Sequence, residues 1–369
     1  MSDTHHLSIL HTAAPAITGG LESVLVQLTS GLRQRGHDVR VALVLSPGTE
    51  EQHPVAEELA RRSVPVYPIV VGTRSYAAER RAVREIMFRM DADVLHTHGY
   101  RPDVMHGGIA RSSHRMHVMT LHGFVGGSRR GRFYEWLQIQ AARRADAVIA
   151  VSEPIRQRLA EHGITKRVHL LRNALAEEAS TLSRSDAREA LGLPQDMVIV
   201  GWVGRVSQEK GPDLFVRAMQ QIPEAISVVI GNGPALGEAL SFVGASGMQS
   251  RFKSTGLLPS ASRYLAAFDI LALTSRTEGT PMILLEAMLA GVPIVATRVG
   301  GVPQVLSANE AILCEPEPEQ IAGAIRDAID DSAGRQRRAA AALSRARREF
   351  ALDAWLDAHA AIYAGERAR

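Results

Sequence analysis

A cationic pair follows one of the predicted strands in the second half of the chain. The segment 203–211 reads VGRVSQEKG, so Arg205 and Lys210 lie five residues apart and Gly204 comes directly before the arginine. An arginine fork can bind two phosphate oxygens at once, and a lysine adds a compact positive charge. The spacing therefore suggests a diphosphate site. Two ordinary surface cations are the alternative.

An acidic pair lies further along, in the segment 274–288, which reads TSRTEGTPMILLEAM. Glu278 is predicted in a loop, and Glu286 follows eight residues later, inside a helix and among apolar neighbours. A carboxylate in such surroundings costs several kcal/mol unless it is paired or hydrogen-bonded. Two such acceptors can bind vicinal hydroxyls on a sugar ring and on a ribose. Glu278 alone could instead be a helix-capping residue.

A glycine turn, Gly19–Gly20, follows the first predicted strand and opens a helix. Glycines permit close approach of the backbone, and the free N–H groups of a first helical turn favour an anion. A tight strand-to-helix turn without a ligand explains the same residues. The pattern is not GxGxxG, which disfavours a nicotinamide or flavin site.

Three histidines, His96, His98 and His122, are each predicted to follow a strand, in the segments HTHG and TLHG. Residues i and i+2 of a strand share a face, so His96 and His98 could both bind a metal ion. The sequence has no HExxH pattern, no cysteine partner and no carboxylate at a suitable spacing. We therefore predict no metal site, and interpret His122 as a polar group in a cleft.

An Asp-x-Asp pair, Asp91 and Asp93, also needs an explanation, because such a pair holds a divalent ion in some sugar-transferring enzymes. Here the pair precedes its predicted strand instead of following it. A solvated helix terminus is the better interpretation.

The elements that would position these residues alternate between short apolar strands and amphipathic helices. Continuous apolar strands separated by helices predict parallel sheets covered on both faces. The expected strands are 7–11, 39–45, 64–70, 94–97, 117–121, 147–151, 168–171, 197–203, 226–230, 252–255, 270–273, 294–296 and 311–313. The polar stretch 172–185 separates two such series, and the tail 335–369 is predicted to be helical. Ligands of open parallel sheets bind beyond the carboxyl ends of the strands, where the candidate residues lie.

Composition excludes several classes of protein. The chain has 369 residues, 46% hydrophobic and 22% charged, a net charge of +3, and one cysteine, Cys314. This balance rules out a disordered chain, a collagen-like fibre and a polytopic membrane protein. Basic residues are not concentrated on a nucleic-acid-binding motif. Without a recognisable signal peptide or disulfide framework, we expect a cytoplasmic protein.

Taken in order, these segments resemble the retaining glycosyltransferases of the large GT4 type. The resemblance is carried by GRVSQEKG, SRTEGTPMILLEAMLAGVPIVAT and GGVPQV in the second half, and by the glycine turn, HTHG and LHG in the first. It implies the α/β GT-B fold, with two Rossmann-like, doubly wound parallel-sheet domains facing across a cleft. The expected domains are residues 1–178, joined by a final helix at about 351–369, and residues 179–350.

The resemblance also implies a role for each candidate residue. Arg205 and Lys210 would neutralise the donor diphosphate near Gly204, Glu286 would hold the ribose, and Glu278 would contact the transferred sugar. Gly279, Thr280 and Pro281 would lie beside that sugar, His122 would line its site from the first domain, and Gly19 and Gly20 would approach phosphate or acceptor. Three positions depart from the family pattern: Ala174, Thr280 and Gln304.

The activity implied is transfer of a hexose from a nucleoside-diphosphate sugar to a hydroxyl acceptor, without a metal ion or another cofactor. Cell-surface polysaccharide, lipopolysaccharide or glycolipid synthesis is the expected context. A nucleotide-sugar 2-epimerase of the same fold and an inactive sugar-nucleotide-binding protein are the alternatives.

Basic and aromatic residues suggest where an acceptor could be met. One predicted helix carries Arg74, Arg80, Arg81, Arg84 and Arg89. The stretch 126–144 interleaves Arg129, Arg130, Arg132, Arg143 and Arg144 with Phe133, Tyr134 and Trp136. Such segments suit an anionic membrane surface, so we expect peripheral contact with the inner face of the plasma membrane. A solvated helix face is the alternative.

Overall fold

The chain folds into two compact units. The computed structural model describes residues 6–16, 19–49, 53–72, 74–124, 129–175, 182–258 and 260–365. Unit 1 comprises Met1–Ala174 and Leu352–Arg369, and unit 2 comprises Leu175–Ala351. The predicted boundary between residues 178 and 179 lies outside the described residues.

Unit 1 is built on a seven-stranded, entirely parallel sheet. Its strands are β1 (Ser8–Ala13), β2 (Asp38–Leu45), β3 (Val66–Val70), β4 (Val94–His98), β5 (Met116–Leu121), β6 (Ala147–Ala150) and β7 (Val168–Leu170). Their order is β3-β2-β1-β4-β5-β6-β7, so the direction of winding reverses between β1 and β4. In open α/β sheets, this switch point is where ligands bind.

Helices connect these strands, as the parallel pairing requires. They are α1 (Gly20–Gln34), α2 (Pro54–Arg61), α3 (Tyr76–Arg89), α4 (Tyr100–Ser112), α5 (Arg129–Ala142) and α6 (Glu153–Glu161). Within the described ranges, no helix of either unit combines the length and the apolar composition needed to cross a membrane.

Unit 2 repeats the plan with a six-stranded parallel sheet. Its strands are β8 (Val198–Val203), β9 (Ala225–Ile230), β10 (Phe252–Gly256), β11 (Ile270–Leu273), β12 (Ile294–Thr297) and β13 (Ile312–Cys314). Its helices are α7 (Arg184–Ala190), α8 (Pro212–Gln220), α9 (Leu236–Ala245), α10 (Met282–Leu289), α11 (Val302–Val305), α12 (Pro318–Asp330) and α13 (Ser332–Glu349). The order β10-β9-β8-β11-β12-β13 puts the switch point between β8 and β11.

All thirteen predicted strands are present, and their ends differ from the prediction by no more than two residues. The α/β fold class with two doubly wound parallel sheets is therefore confirmed. One local expectation is wrong: His96 and His98 lie inside β4 and do not follow it. The strand extends further because Thr97 and His98 still pair with β1 and β5.

The helical tail is interrupted once. α13 ends at Glu349, and α14 (Leu352–Tyr363) begins after Ala351, which forms an isolated bridge with Leu175. α14 belongs to unit 1 and contacts α1. Gly31 of α1 lies against Leu356, which would be 2.6 Å from a Cβ at that position. A side chain at residue 31 would therefore have to displace Leu356.

A buried ion pair fastens the start of unit 2. Arg188 of α7 is fully buried and binds Asp269, which directly precedes β11, at 2.7 Å. The same guanidinium donates to the carbonyl oxygens of Ala267, Pro194, Gln195 and Met197. A buried charge is tolerated only when it is paired and hydrogen-bonded in this way.

A group of histidines is buried where α14 packs on the sheet of unit 1. His11, His96, His98 and His359 all lie in the core, and their burial lowers each pKa, to about 3 for His11 and about 4 for His359. The proximity of the other histidines lowers three of these values further. These four rings are therefore neutral at pH 7.

The buried histidines predict that unit 1 loses stability in mild acid. Unfolded histidines bind protons below about pH 6.5, whereas those of the folded state bind them only near pH 4 or lower. The free energy of unfolding should therefore fall between pH 6.5 and 4, by about 1.4 kcal/mol per pH unit for each histidine. Thermal or urea denaturation followed by circular dichroism across this range measures the slope.

The variant His359→Phe provides the control, because phenylalanine keeps a planar ring against Trp355 but cannot bind a proton. We expect its unfolding free energy to depend less steeply on pH than that of the unsubstituted protein. Identical slopes for the two proteins would contradict the assignment of this pH dependence to the buried rings.

Candidate functional site

Two predicted site residues meet at the switch point of unit 2. Lys210 ends a short 3-10 helix, Gln208–Lys210, in the connection after β8, and Glu278 lies in the loop after β11. The Nζ of Lys210 is 2.8 Å from both carboxylate oxygens of Glu278. Ser275 donates its hydroxyl to Oε1 of the same carboxylate at 2.6 Å. The Glu278 side chain is 4% exposed and that of Lys210 is 30% exposed. The structure thus joins a member of the cationic pair to a member of the acidic pair.

Hydrogen bonds between the two loops hold this contact in place. Thr274 donates its hydroxyl to the carbonyl of Gly211 at 2.7 Å and accepts from the indole of Trp202 at 3.1 Å. Gly211 has a φ of +65°, and a Cβ there would lie 2.1 Å from the carbonyl oxygen of Thr274. Only glycine permits this approach. The close packing of Gly211 on Thr274 therefore fixes the position of the backbone at the neighbouring Lys210.

A third loop supports Glu278 from the other side. The amide of Gly301, after β12, donates to the carbonyl of Glu278 at 3.0 Å. Gly300 has a φ of +51°, and a Cβ at this residue would lie 2.0 Å from the same oxygen. These glycines belong to the GGVPQV segment, and their structural role is to pack this loop against the acidic one.

Arg205, the other member of the predicted cationic pair, does not share the partner of Lys210. It forms an ion pair with Glu209, four residues further on, and its side chain is 58% exposed. Exposed pairs of this kind contribute only about 0–1 kcal/mol, so an incoming anion can displace the carboxylate. Glu209 was not predicted as a site residue, and its position one turn after Arg205 is the signal that could have identified it.

The remaining predicted residues of unit 2 lie around the start of α10. Gly279 and Thr280 are partly buried in the loop, and Pro281 occupies the position that caps the helix. The interpretation of Glu278 as a capping residue is therefore wrong, since its carboxylate binds Lys210 instead. Glu286 is the fifth residue of α10 and is partly buried among buried Leu284, Leu285 and Ala287.

In unit 1, histidines gather at the carboxyl ends of β1, β4 and β5. The rings of His96 and His98 lie 4.2 Å apart between centroids, which confirms that they share a face. The ring of His11, which carries no sequence signal of its own, lies 4.9 Å from that of His96 and 5.2 Å from that of His98, between centroids. His122 follows β5 directly, and its ring lies 5.6 Å from that of His98.

Hydrogen bonds already engage most of the nitrogen atoms in this group. His96 is 2.7 Å from the Tyr363 hydroxyl through Nδ1 and 2.7 Å from the Thr120 hydroxyl through Nε2. His11, His96 and His98 each bring a ring nitrogen within 4.8 Å of the others, close enough to share a metal ion. Such an ion would have to replace those bonds, and the absence of a metal site stays a prediction.

The glycine turn is only partly described, because residues 17 and 18 lie outside the described ranges. Gly19 caps α1 with an extended φ of 170°, and both Gly19 and Gly20 are exposed. Glu22 is buried and accepts a hydrogen bond from the amide of Ala16 at 2.7 Å. The backbone of this turn is thus exposed beyond the carboxyl end of β1.

The Asp-x-Asp pair, Asp91 and Asp93, lies at the amino ends of the strands, directly before β4. The carboxylate of Asp93 accepts from the amide of Ser8 at 2.9 Å, and Asp91 pairs with Arg115. Both carboxylates therefore make structural contacts at the start of β4, at the end of the sheet away from the candidate site.

Comparison with known proteins identifies the family. A family model described as glycosyl transferases group 1 matches residues 183–345, and one described as glycosyltransferase family 4 matches residues 18–178. A Bacillus subtilis (strain 168) glycosyltransferase assigned to teichuronic acid biosynthesis, TuaC, is 28% identical over 70% of this chain and 69% of its own length. The 2-deoxystreptamine N-acetyl-D-glucosaminyltransferase of Streptomyces fradiae is 33% identical over 44% of this chain and 42% of its own length.

A solved structure shares the fold over 97% of this chain. The crystal structure of Anabaena Alr3699/HepE in complex with UDP and glucose matches with a TM-score of 0.87 and 21% identity, covering 97% of this chain and 100% of that one. Together the two family models cover most of the sequence, one for each of its two sheets. The chain therefore belongs to the glycosyltransferases of group 1, with a family 4 region in its first half.

Proposed function

We propose that this protein transfers a sugar from a nucleoside-diphosphate donor to a hydroxyl acceptor, and that the donor binds unit 2 beyond the ends of β8 and β11. The contact between Lys210 and Glu278 at this switch point carries the proposal. It places a cation for a diphosphate beside a carboxylate that can accept sugar hydroxyls. The UDP bound in the Anabaena structure makes UDP-sugars the first donors to test.

Each charged group has a defined task in this proposal. Lys210 turns from Glu278 toward the diphosphate, and Arg205, held only by a surface pair with Glu209, joins it. Glu278 keeps the hydrogen bond from Ser275 and accepts from the transferred sugar, with Gly279, Thr280 and Pro281 beside it. Glu286 accepts from the ribose hydroxyls, and the backbone at Gly204 approaches the phosphates. From unit 1, His122 contacts the sugar, and Gly19 and Gly20 approach phosphate or acceptor.

The chemistry follows from where charge develops. The bond between the anomeric carbon and a diphosphate oxygen breaks, so negative charge grows on the leaving group and positive charge on the sugar. Lys210 and Arg205 stabilise the leaving group, and one well-placed donor typically contributes about 3–4 kcal/mol. The acceptor hydroxyl attacks the face that the diphosphate leaves and gives its proton to the departing phosphate oxygen. The configuration at the anomeric carbon is then retained.

A nucleotide-sugar 2-epimerase and an inactive sugar-nucleotide-binding protein remain the alternatives. An epimerase needs an acid and a base at the second carbon of the sugar, and the residues described above supply no such pair. Incubation with UDP-, GDP- and ADP-sugars, followed by product analysis, separates the three. Transfer or slow donor hydrolysis supports the proposal, a new epimer supports the second function, and thermal stabilisation without a product supports the third.

We further propose a cytoplasmic protein that meets its acceptor, a cell-surface polymer or glycolipid precursor, at an anionic membrane face. Phe133 and Trp136 of α5 are 55% and 53% exposed, and their rings lie 6.0 Å apart in a stacked arrangement. Arg129, Arg130 and Arg132 are exposed on the same helix. Residues 126–128 of the predicted stretch lie outside the described ranges. Exposed rings beside arginines suit insertion at lipid headgroups.

Substituting Lys210 tests the donor site. Lys210→Ala should lower kcat/KM by about 100-fold, because a fixed charge near the leaving group is lost. Steady-state kinetics with the donor found in the screen measure this effect. Lys253→Ala removes a lysine on β10, in the same unit but outside the site, and should change kcat/KM less than twofold. Full turnover by Lys210→Ala would remove this residue from the mechanism.

The membrane surface is tested by sedimentation with vesicles. We expect binding to vesicles of phosphatidylcholine mixed with phosphatidylglycerol at low salt, and weaker binding at high salt or to phosphatidylcholine alone. The double variant Phe133→Ser, Trp136→Ser should bind about tenfold less tightly, because it removes the two exposed rings that would insert into the lipid surface. Leu240→Ser removes an exposed apolar side chain of α9 and is the matched control. Indifference to both lipid charge and salt would contradict the proposal.

A further inference from the structure

Three histidine rings of unit 1 form a hydrogen-bonded series. Nδ1 of His11 lies 3.0 Å from Nε2 of His98, and Nδ1 of His98 lies 3.3 Å from Nε2 of His122. His11 and His98 are fully buried, on neighbouring strands β1 and β4. His122 is partly exposed at the end of β5. The series therefore runs from the core to the surface at the switch point.

Two bonds in series restrict where the protons can lie. A neutral imidazole carries one N–H and one lone pair, and each bond between rings needs one of each. If His98 carries its proton on Nδ1, then His11 and His122 must also carry theirs on Nδ1. If His98 carries its proton on Nε2, so do the other two. All three rings must therefore have the same tautomer.

The environment of His11, at the buried end of the series, determines which of the two tautomers is favoured. Nε2 of His11 is buried and has no hydrogen-bond partner among the described residues. With the protons on Nε2, a bare N–H group would be buried there, and such orphaned donors are rare. With the protons on Nδ1, only a lone pair is left unpaired. Burial lowers the pKa of all three rings, to about 3 for His11 and about 4 for His122, which keeps them neutral.

We propose that His98, backed by His11, is a positioning residue that holds His122 as its Nδ1–H tautomer and so presents a hydrogen-bond donor to the sugar nucleotide. The proposal rests on the proposed function, which places His122 at the sugar. Nε2 of His122 faces His98, so Nδ1 is the nitrogen of this partly exposed ring that the proposal turns to the ligand. The bond that one ring nitrogen makes determines the role of the other.

Two other roles for this cluster fit the contacts less well. A metal ion at His11, His96 and His98 would have to replace the bonds that His96 makes to Tyr363 and Thr120. A proton wire would need a partner beyond His11, and the described residues offer none at its Nε2. The series ends in the core, so it can orient a proton but cannot conduct one.

Long-range ¹H–¹⁵N correlation spectra of the ¹⁵N-histidine-labelled protein test the tautomer without any ligand. The signals of His122 are assigned by their loss in His122→Gln. We expect the neutral Nδ1–H pattern for His122 at pH 7.5. The Nε2–H pattern, a charged ring, or stoichiometric metal in the purified protein would overturn the proposal.

Two variants at His98 test its role. Asparagine at this position can still donate from a site near the original Nδ1, whereas leucine cannot. His98→Leu should shift His122 away from the Nδ1–H pattern and lower kcat/KM about tenfold, the loss expected of one neutral hydrogen bond. His98→Asn should retain both the pattern and most of the activity. Circular dichroism confirms that each variant is folded.

The outcomes separate this proposal from the proposed function. An unchanged His122 tautomer in folded His98→Leu, or unchanged kcat/KM despite a changed tautomer, overturns the positioning role. If the unsubstituted protein transfers sugar from no donor, the proposed function fails, and the spectra still decide the tautomer. Loss of activity in His98→Leu with rescue in His98→Asn supports both.

Discussion

The contact between Lys210 and Glu278 is the interaction on which the candidate donor site depends. Lys210 ends a single-turn 3-10 helix, Gln208–Lys210, and Glu278 lies outside any helix or strand. The connections that carry them follow β8 and β11, and they are adjacent because these two strands are neighbours at the point where the sheet changes its direction of winding. The parallel sheet thus converts a separation of 68 residues into a bond of 2.8 Å.

Backbone packing gives these loops their precision. Gly211 and Gly300 are both in the left-handed region, and in both a Cβ would collide with a carbonyl oxygen of the acidic loop. Thr274 adds a hydroxyl that bonds to the backbone on one side and to Trp202 on the other. The segments that follow β8, β11 and β12 are therefore held together by contacts of the backbone and of Thr274, in addition to the ion pair.

Unit 1 uses a different device at the equivalent position. Its switch point, between β1 and β4, is filled by neutral imidazoles instead of a charged pair. Burial keeps these rings neutral, and Tyr363 of α14 supplies a hydroxyl to His96. Helix α14, the last element described, therefore completes the polar core of the sheet formed by the first half of the chain. A neutral imidazole carries its single proton on either of its two nitrogens, and its hydrogen bonds determine which tautomer forms.

The sequence alone determined the fold class, every strand and the family, and it located most candidate residues of unit 2 after strands, whereas His96 and His98 proved to lie inside β4. Periodicity and strand-end polarity are local properties, so they can be recognised without knowing what lies nearby. The sequence could not show that Lys210 bonds to Glu278, that Arg205 pairs with Glu209, or that His11 joins His98 and His122. It also gave no sign that Arg188 is buried, since it looks like any arginine of a polar helix. Those facts depend on which strands are neighbours and on what each side chain meets across the sheet. Only the tertiary structure decides them, because burial and pairing arise between residues that are far apart in the chain.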